Sequence, residues 1–253
     1  PEISKREEQY RYLDAERLAG LDQAGLDEFS GDISLVSSVE LLTEWITSEH
    51  SAFGAAGLPE DRPSAAAWEA ARAAYLLSIP GESVEPITAE LTLRASSFEP
   101  EAFHLVIQAE RHSHATIVVD HRGKAKLGEN VEILVGDEAN LTVISIQDWD
   151  DGSVHNSAHF VKVGRNAHFK HVVISLGGKT VRITPSVAFT APGAEIELFG
   201  LYFADAGQYL EHRLFVDHAV ANCKSRVKYK GALQGDKAHT VWVGDVLIRA
   251  AAE

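Results

Sequence analysis

The segment Ile133-Leu-Val-Gly-Asp-Glu-Ala-Asn-Leu-Thr-Val143 is the clearest member of a series of repeats along this chain. A second copy, Val161-Lys-Val-Gly-Arg-Asn-Ala-His-Phe-Lys-His171, keeps the same order of apolar, glycine and alanine positions. A third copy, residues 189–198, is one residue shorter, and a weaker fourth copy spans residues 217–227. One small residue is common to all copies and recurs at intervals of 28, 27 and 29 residues: Ala139, Ala167, Ala194 and Cys223.

These repeats favour a coil of stacked β-strands. A small residue directly after a turn lets the corner of one coil approach its neighbour closely, and the alternating apolar positions that follow can line one inner face. Coils stacked about 4.8 Å apart bury such a face continuously. We therefore predict a parallel β-helix, which is a solenoid. The alternative is a β-sandwich whose strands share this spacing by coincidence.

The β-strand pattern covers the C-terminal part of the chain, from about residue 92. Short runs of β-forming residues are separated there by Gly, Asn and Asp, and no helical stripe of useful length interrupts them. The clearest runs are residues 103–107, 115–119, 131–135, 141–146 and 160–163, and the pattern continues to residue 249. The predicted fold class is mostly β, with residues 91–253 as the β-helix core.

Residues 1–90 have a different pattern, which predicts a small helical N-terminal domain. Ser37 and Glu40 have the spacing of a capping box, and the apolar residues that follow fall on one helical stripe. An alanine-rich segment further on has apolar residues at helical intervals and ends at a Pro-Gly stop signal. The predicted helices span residues 5–21, 39–48 and 64–77.

Composition narrows the class of protein. Hydrophobic residues make up 45% of the chain and charged residues 24%, which is typical of soluble globular proteins. No apolar run approaches the ~20 residues that cross a bilayer and no signal segment opens the chain, so we predict a cytoplasmic protein. The single cysteine excludes an internal disulfide framework.

The charge of the chain argues against binding to nucleic acids. The formal net charge is −14, and phosphates would be repelled unless a local basic stripe existed. The best basic segment, residues 224–230, carries a cation at every second position. This spacing predicts that its cations lie on the solvent face of one strand and that Cys223, Val227 and Tyr229 face inward.

Histidines are the first candidates for a metal site, since eleven of the twelve lie between residues 104 and 239. His155 and His159 have the i, i+4 spacing of helical metal ligands, but in a strand this spacing separates them by roughly 13 Å. His112 and His114 could share one strand face, although no third ligand stands nearby. We interpret most of these histidines as solvated residues on sheet faces and predict no metal site.

Three carboxylates surround a tryptophan at residues 148–152. Asp148, Asp150 and Asp151 do not match a calcium loop, because the glycine comes too early and no glutamate closes the loop. We predict a turn between strands with Trp149 packed beneath it. The alternative is a β-helix enzyme that uses these residues as acid and base on a carbohydrate. The sequence contains neither a phosphate-binding loop nor a nucleophile elbow.

Cys223 is the remaining candidate for chemistry. Its position in the repeat predicts a thiol that faces inward, where a lone cysteine is usually a small core residue. The functional alternative is a thiolate that receives sulfur or iron, aided by His212 or His218 if the sheet brings them close. An iron–sulfur cluster usually needs four ligands, so one cysteine requires further ligands from another chain.

Six stretches of the sequence form a characteristic set: Gln147-Asp-Trp-Asp-Asp151, Gly193-Ala-Glu-Ile-Glu-Leu-Phe-Gly-Leu-Tyr-Phe-Ala-Asp205, Glu211-His-Arg-Leu-Phe-Val-Asp-His218, Cys223-Lys-Ser225, Lys230-Gly-Ala-Leu233 and Gly244-Asp-Val-Leu-Ile-Arg249. Together with Arg6-Glu-Glu and Arg11-Tyr12 they cover nearly the whole chain. In these stretches the sequence resembles the SufB/SufD family of iron–sulfur cluster assembly proteins, and more closely SufD.

The resemblance implies a right-handed parallel β-helix behind a helical N-terminal domain. It also implies a non-catalytic scaffold that acts with a SufB-like subunit, while a SufC-like ATPase hydrolyses ATP. An iron–sulfur cluster would then be bound only together with a partner chain. Reduced flavin is associated with such complexes, but no sequence motif here predicts flavin binding. Cys223 is the only residue at a matched family position with suggestive chemistry.

Family members continue past the position of Glu253. Their further segments are additional coils, a motif with the histidine used at the SufB–SufD junction, and helices that dock SufC. We therefore expect this chain to be a C-terminally truncated member that lacks the SufC docking segment. We also expect self-association through the unpaired backbone of its last coil. A scaffold is the leading hypothesis, followed by the carbohydrate-active enzyme and by a plain interaction solenoid.

Overall fold

The computed structural model describes residues 3–4, 6–83 and 85–252. The described chain is mostly β, with one α-helix, α1 (Arg62–Ala70), and 3-10 turns at Glu8–Tyr10, Ala15–Leu18 and Ala250–Ala252. The strands are β1 (Asp27–Glu28), β2 (Asp32–Ser37), β3 (Leu42–Ile46), β4 (Ala74–Ile79), β5 (Ile87–Ala109), β6 (His114–Val135), β7 (Asn140–Trp149), β8 (Val154–Val163), β9 (His168–Ser175), β10 (Thr180–Phe189), β11 (Glu195–Ala204), β12 (Tyr209–His218), β13 (Lys224–Leu233) and β14 (His239–Ile248).

Strands β5 to β14 wind a parallel solenoid of about six coils. The long strands β5 and β6 each make a whole coil with a bend in the middle, and each later coil consists of two strands. One wall contains β7, β9, β11 and β13, the other contains β8, β10, β12 and β14, and both walls join at β6. The predicted solenoid is confirmed, and two facing antiparallel sheets are excluded for the described coils.

The repeated small residue marks one corner of the coil, as predicted. Ala139, Ala167 and Ala194 are fully buried. The residue directly before each of these small residues, and before Cys223, has a positive φ and makes the turn: Glu138 (58°), Asn166 (51°), Gly193 (84°) and Asn222 (61°). The carbonyl of each alanine then accepts a hydrogen bond from the amide that starts the next coil, at 2.8 Å for Ala139, 2.9 Å for Ala167 and 3.0 Å for Ala194. The corner is therefore part of the ladder between coils.

The core lies inside the coil. Strands β5 to β12 contribute inward-facing apolar side chains to one continuous cluster along the solenoid. Representative members from successive coils along one wall are Leu91, Ile117, Val143, Phe169 and Ile196. Cys223, Val227 and Tyr229 pack against the same cluster, while the cations of residues 224–230 are exposed, so the predicted orientation of β13 is confirmed.

The N-terminal region is not a helical domain, contrary to the prediction. The segment predicted as a helix over residues 39–48 contains strand β3, which pairs antiparallel with β4. Trp45 packs edge-on against Tyr75 of that neighbouring strand, with ring centroids 5.4 Å apart. Thr43, Trp45 and Ile46 favour strands, so pairing with β4 outweighs the local helix signals.

The other two predicted helices are much shorter than expected. Helix α1 begins after Asp61, whose carboxylate accepts a 2.9 Å hydrogen bond from the amide of Ser64, and it ends at Ala70. Residues 74–77 form the start of β4 instead, because this strand pairs parallel with β5. Within residues 5–21 the described part from residue 6 contains only two short 3-10 turns, and residue 5 lies outside the described residues.

The N-terminal strands cover the open edge of the first coil. Strand β2 pairs antiparallel with the first half of β5, and β4 pairs parallel with its second half. An exposed strand edge would offer unpaired backbone groups to other chains. This pairing satisfies those groups at the N-terminal end of the solenoid.

We predict that Gly123→Ala destabilises the protein by more than the about 1–2 kcal/mol that a left-handed backbone costs other residues. Gly123 bends β6 with a φ of 90°, and an added Cβ would also collide with the carbonyl oxygen of Ala95. Gly207→Ala is the matched control, because Gly207 has a φ of 77° and nothing within 4 Å of an added Cβ. Urea unfolding measures both; equal losses would contradict the proposed close contact.

Candidate functional site

Strand β8 is buried on both of its faces. One face packs against the N-terminal region and the other faces the interior of the coil. Val154, Asn156, Ala158 and Phe160 face the N-terminal region, where Val154 and Phe160 belong to apolar clusters outside the coil. Every second residue between them faces the interior of the coil, where three consecutive positions are polar: His155, Ser157 and His159. The interior therefore contains a polar segment between apolar layers.

Glu129 is the centre of this polar segment. Its carboxylate lies 3.0 Å from Nε2 of His121, 3.2 Å from Nε2 of His155 and 2.6 Å from the hydroxyl of Ser157. All four side chains are fully buried. His121 and Glu129 come from the two halves of β6, while His155 and Ser157 come from β8 in the next coil.

The carboxylate of Glu129 and the imidazole of His121 favour each other's charged form. The carboxylate of Glu129 raises the pKa of His121, although burial by itself would lower it. The pKa of Glu129 is held well below its usual range, since His121 and His155 together outweigh the effect of burial. Burial lowers the pKa of His155, which shares the same carboxylate. The arrangement therefore supports an ionised carboxylate inside the protein.

A pair of neutral imidazoles continues the polar segment. Nε2 of His159 lies 2.9 Å from the hydroxyl of Ser157, and its Nδ1 lies 3.1 Å from Nε2 of His171 on the opposite wall. Burial lowers the pKa of His171 to about 4. A hydrogen-bonded path thus runs from Glu129 through Ser157 and His159 to His171.

His212, a residue singled out by the sequence, lies in a third polar group. Its Nε2 is 2.9 Å from the hydroxyl of Ser175, which donates a 3.1 Å hydrogen bond to Gln147. The rings of Tyr202 and Tyr229 contact it at centroid distances of 5.2 and 5.6 Å. Burial lowers the pKa of His212 to about 3.

The prediction that most histidines are solvated is wrong for the interior of the coil. Five histidines are buried in this interior, namely His121, His155, His159, His171 and His212, and His104 is buried on the outer side of the wall against Phe53 and Trp68. A charged or unpaired imidazole would be costly there, but each of them has a carboxylate, hydroxyl or imidazole partner. The sequence contained a signal for His155 and His159. They stand at even spacing from Val161 and Val163 on the same strand, and these valines face inward.

The coil also brings together three residues that could hold a metal ion, which spacing in the sequence did not reveal. One ligand atom each from His121, Glu129 and His155 lies within 4.8 Å of the others. His155 and His159 do not form a shared site as an i, i+4 pair. His155 pairs with Glu129, whereas His159 pairs with Ser157 and His171. His112 and His114 are separated by the corner, where His112 takes a φ of 59° and pairs with Glu138.

Cys223 and His218 lie near the last described coils. The thiol of Cys223 is half-buried and its Sγ lies 3.5 Å from the carbonyl oxygen of Ala191 and 3.6 Å from that of Ala221. Neither His212 nor His218 is among these partners in the described structure. Nε2 of His218 instead lies 2.9 Å from the hydroxyl of Ser225. Among the described residues, Cys223, His212 and His218 thus have different hydrogen-bond partners.

The aspartates at residues 148–151 form an exposed turn. Trp149 is 3% exposed and packs beneath this turn, as predicted. Its ring contacts His121 and His155 at centroid distances of 5.5 and 5.4 Å. The turn thus covers the polar interior at Glu129.

A buried arginine connects the coil to the N-terminal region. Arg182 of β10 donates to Asp61 at 2.6 Å and to Asn156 at 3.0 Å, and it lies 3.6 Å from Glu211. Its guanidinium also lies over the ring of Tyr10. Although burial would raise the pKa of Asp61, Arg182 and Ser64 hold it below its usual value. This network fixes α1 and the first 3-10 turn on the outside of the coil.

Comparison with known proteins identifies relatives of this chain. Residues 93–253 match the family described as SUF system FeS cluster assembly, SufBD core domain. An iron–sulfur cluster assembly SufBD family protein of Mycobacterium tuberculosis is 42% identical over 98% of this chain. Similar proteins of Mycobacterium bovis and Mycobacterium leprae are 42% and 40% identical over 98% and 96% of the chain.

The chain spans 64% of the length of these curated relatives. Among the residues that the structure describes, no helix has both the length and the apolar character needed to cross a membrane.

We predict that two buried histidines, His171 and His212, make the protein less stable as pH falls from 7 to 5. The pKa values of His171 and His212 lie at about 4 and about 3 in the folded state, below the ordinary 6.5. Protons therefore bind the unfolded state preferentially in this window, at about 1.4 kcal/mol per unit of pH for each residue. Urea unfolding at several pH values measures this slope.

His212→Gln should make the free energy of unfolding less dependent on pH. Between pH 6.5 and pH 5 the variant should lose about 2 kcal/mol less than the unaltered protein. His168→Gln is the control, because the exposed imidazole of His168 stays hydrated in both states. An unchanged slope in His212→Gln would contradict the neutral, buried state of His212.

Proposed function

Because the chain belongs to the SufBD family of the SUF iron–sulfur cluster assembly system, we propose that it is a SufD-type, non-catalytic scaffold subunit. It acts in complex with a SufB-like subunit and a SufC-like ATPase. In this proposal the solenoid is right-handed, and residues 91–253 form the core that follows an N-terminal domain of residues 1–90. The protein works in the cytoplasm and does not bind nucleic acid.

The observation that supports this proposal most directly is that the residues matching the family are those that form the solenoid. The match begins at residue 93, within β5, and extends over all later coils of the described structure. Identity of 42% covers almost the entire chain and therefore includes the N-terminal strands. A rigid coil with satisfied backbone groups suits a subunit that holds partners in position.

Ligand chemistry supports a shared cluster. The iron–sulfur cluster is the cargo of such a complex, and a cluster usually needs four ligands, mostly thiolates. This sequence contains one cysteine, whose thiol packs against backbone carbonyls. Residues 1–253 therefore do not supply four thiolates, which supports a SufB-like subunit as a source of further ligands.

The carbohydrate-active alternative has no comparable support. Asp148, Asp150 and Asp151 lie on an exposed turn, and Asp148 is near the cation of Arg122. The interior carboxylate Glu129 is closed off from a polymeric substrate. Family membership and this geometry both favour the scaffold.

We predict that this protein binds the SufB-like subunit stably. We also predict that the SufC-like ATPase co-purifies with the complex of the two. The test co-expresses the tagged protein, from its complete reading frame and as residues 1–253, with each partner and with both. Size-exclusion chromatography measures co-elution, and circular dichroism confirms that the bait is folded. If the folded protein captures neither partner, the scaffold proposal is wrong.

We predict that Cys223→Ser leaves complex formation intact and lowers the free energy of unfolding by about 1 kcal/mol, as for conservative core changes. The reason is that the thiol occupies the small corner position shared with Ala194. Cys223→Ala is the matched variant, because alanine stands at this corner in the preceding coils. Loss of cluster loading by the complex, with folding and capture intact in both variants, would instead show that the thiol has a chemical role.

A further inference from the structure

Two buried glutamates on β6 are satisfied in different ways. Glu132 faces the N-terminal region and accepts hydrogen bonds from the backbone amides of Gly54 and Ala56, at 2.7 and 2.8 Å. Nε2 of His104 lies 3.0 Å from the same carboxylate. Glu132 therefore has a complete set of donors on the outer side of the wall.

Glu129 faces the interior and has side-chain partners of another kind. Its recorded hydrogen bonds in the described structure join it to His121, His155 and Ser157. Two imidazole nitrogens and a carboxylate thus converge on one point, where each of the three side chains is fully buried. Two neutral imidazoles and a carboxylate are the donor set that zinc uses with an open fourth position.

The tautomer of His121 strengthens this argument. Its Nδ1 lies 3.0 Å from the carbonyl oxygen of Ile146, which can only accept, so Nδ1 carries the hydrogen. Nε2 of a neutral ring then directs a lone pair at the carboxylate of Glu129, which lies 3.0 Å away. A cation must occupy this space, and it is either a proton or a metal ion.

The distances suit a metal ion. Tetrahedral ligands at about 2.0–2.1 Å from zinc lie roughly 3.4 Å from one another. Oε1 of Glu129 lies 3.0 Å from Nε2 of His121 and Oε2 lies 3.2 Å from Nε2 of His155, and one ligand atom from each of the three residues lies within 4.8 Å of the others. The three ligand atoms are therefore close enough for side-chain adjustments to bring them around one ion.

The partners of His121 and Glu129 also match those of metal ligands, whereas Nδ1 of His155 has no hydrogen-bond partner among the described residues. Ligating histidines usually donate their other ring hydrogen to a carbonyl or carboxylate, as His121 does to Ile146, and ligating carboxylates are hydrogen-bonded in turn, as Glu129 is to Ser157. The ring of Trp149 contacts both imidazoles and covers the group with an apolar surface.

We propose that His121, Glu129 and His155 bind one divalent transition-metal ion of the zinc class inside the coil. His121 and Glu129 belong to one coil and His155 to the next, so the ion would join two successive coils. Because an unfolded chain does not hold the three ligands together, binding stabilises the folded state. This proposal concerns a resident ion of the chain and is independent of partner capture and of the cluster that the complex carries.

The test uses protein unfolded with a chelator, refolded without metal, and titrated with Zn²⁺ or Co²⁺. We expect one equivalent to bind, with visible Co²⁺ absorption bands of a low-coordinate site, a higher melting temperature and quenching of Trp149 fluorescence. Metal analysis of protein purified without chelator measures the native ion. Trp149→Phe should keep the Co²⁺ bands while it removes the quenching.

Matched variants separate this site from ordinary buried pairs. Glu129→Gln and His155→Asn should weaken Co²⁺ binding by more than the about 10- to 100-fold that loss of an outer partner costs, while Ser157→Ala should cost within that range. His104→Asn removes a buried imidazole beside Glu132 and should leave binding unchanged. These measurements use the isolated protein, so their failure is distinguishable from failure of the scaffold proposal.

Two outcomes overturn the proposal. One is the absence of stoichiometric binding by refolded protein whose circular dichroism matches the native spectrum. The other is an NMR spectrum in the presence of Zn²⁺ in which both ring nitrogens of His121 carry hydrogens, which assigns the space to a proton. Should Glu129→Gln fail to fold, Ser157→Ala and the NMR assignment of the unaltered protein still decide between ion and proton.

Discussion

The structure depends on the parallel pairing of each coil with the coils before and after it. Backbone groups inside a protein must be hydrogen-bonded, and a solenoid satisfies them only if every coil has nearly the same length and register. The corners keep this register, since Ala139, Ala167 and Ala194 pass the hydrogen-bond ladder to the next coil. Left-handed residues before them make each turn in the same place. The repeat interval is therefore a consequence of backbone pairing.

Constant stacking has a second effect, because it aligns inward-facing side chains from different coils. Apolar positions form a continuous core, and polar positions that coincide in neighbouring coils become partners. Glu129, Ser157 and His171 lie in three successive coils and belong to one hydrogen-bonded path. Such a polar interior is tolerated because each of these side chains has at least one hydrogen-bond partner where water is excluded. It is also where a bound cation gains the most from its ligands.

The N-terminal region depends on the coil and completes it. Strands β2 and β4 pair with the first coil, and Arg182 holds the segment around Asp61 and Tyr10 against the outer wall. A fully buried arginine is expensive to desolvate unless it is paired, and here two carboxylates and an amide oxygen surround it. The region is thus best understood as a cover of the solenoid, which explains why its local helix signals did not prevail.

The sequence by itself determined the solenoid, the corner residues and the outward cations of β13, because these follow from a local period that any coil must repeat. It also placed Trp149 beneath its turn. The strands at residues 42–46 and 74–79 could not be predicted, since their partners lie far away in sequence and outweigh local propensity. Only the tertiary structure brought His121, Glu129 and His155 together. Strand spacing separates residues along the chain, whereas stacking of coils brings residues 26 positions apart into contact.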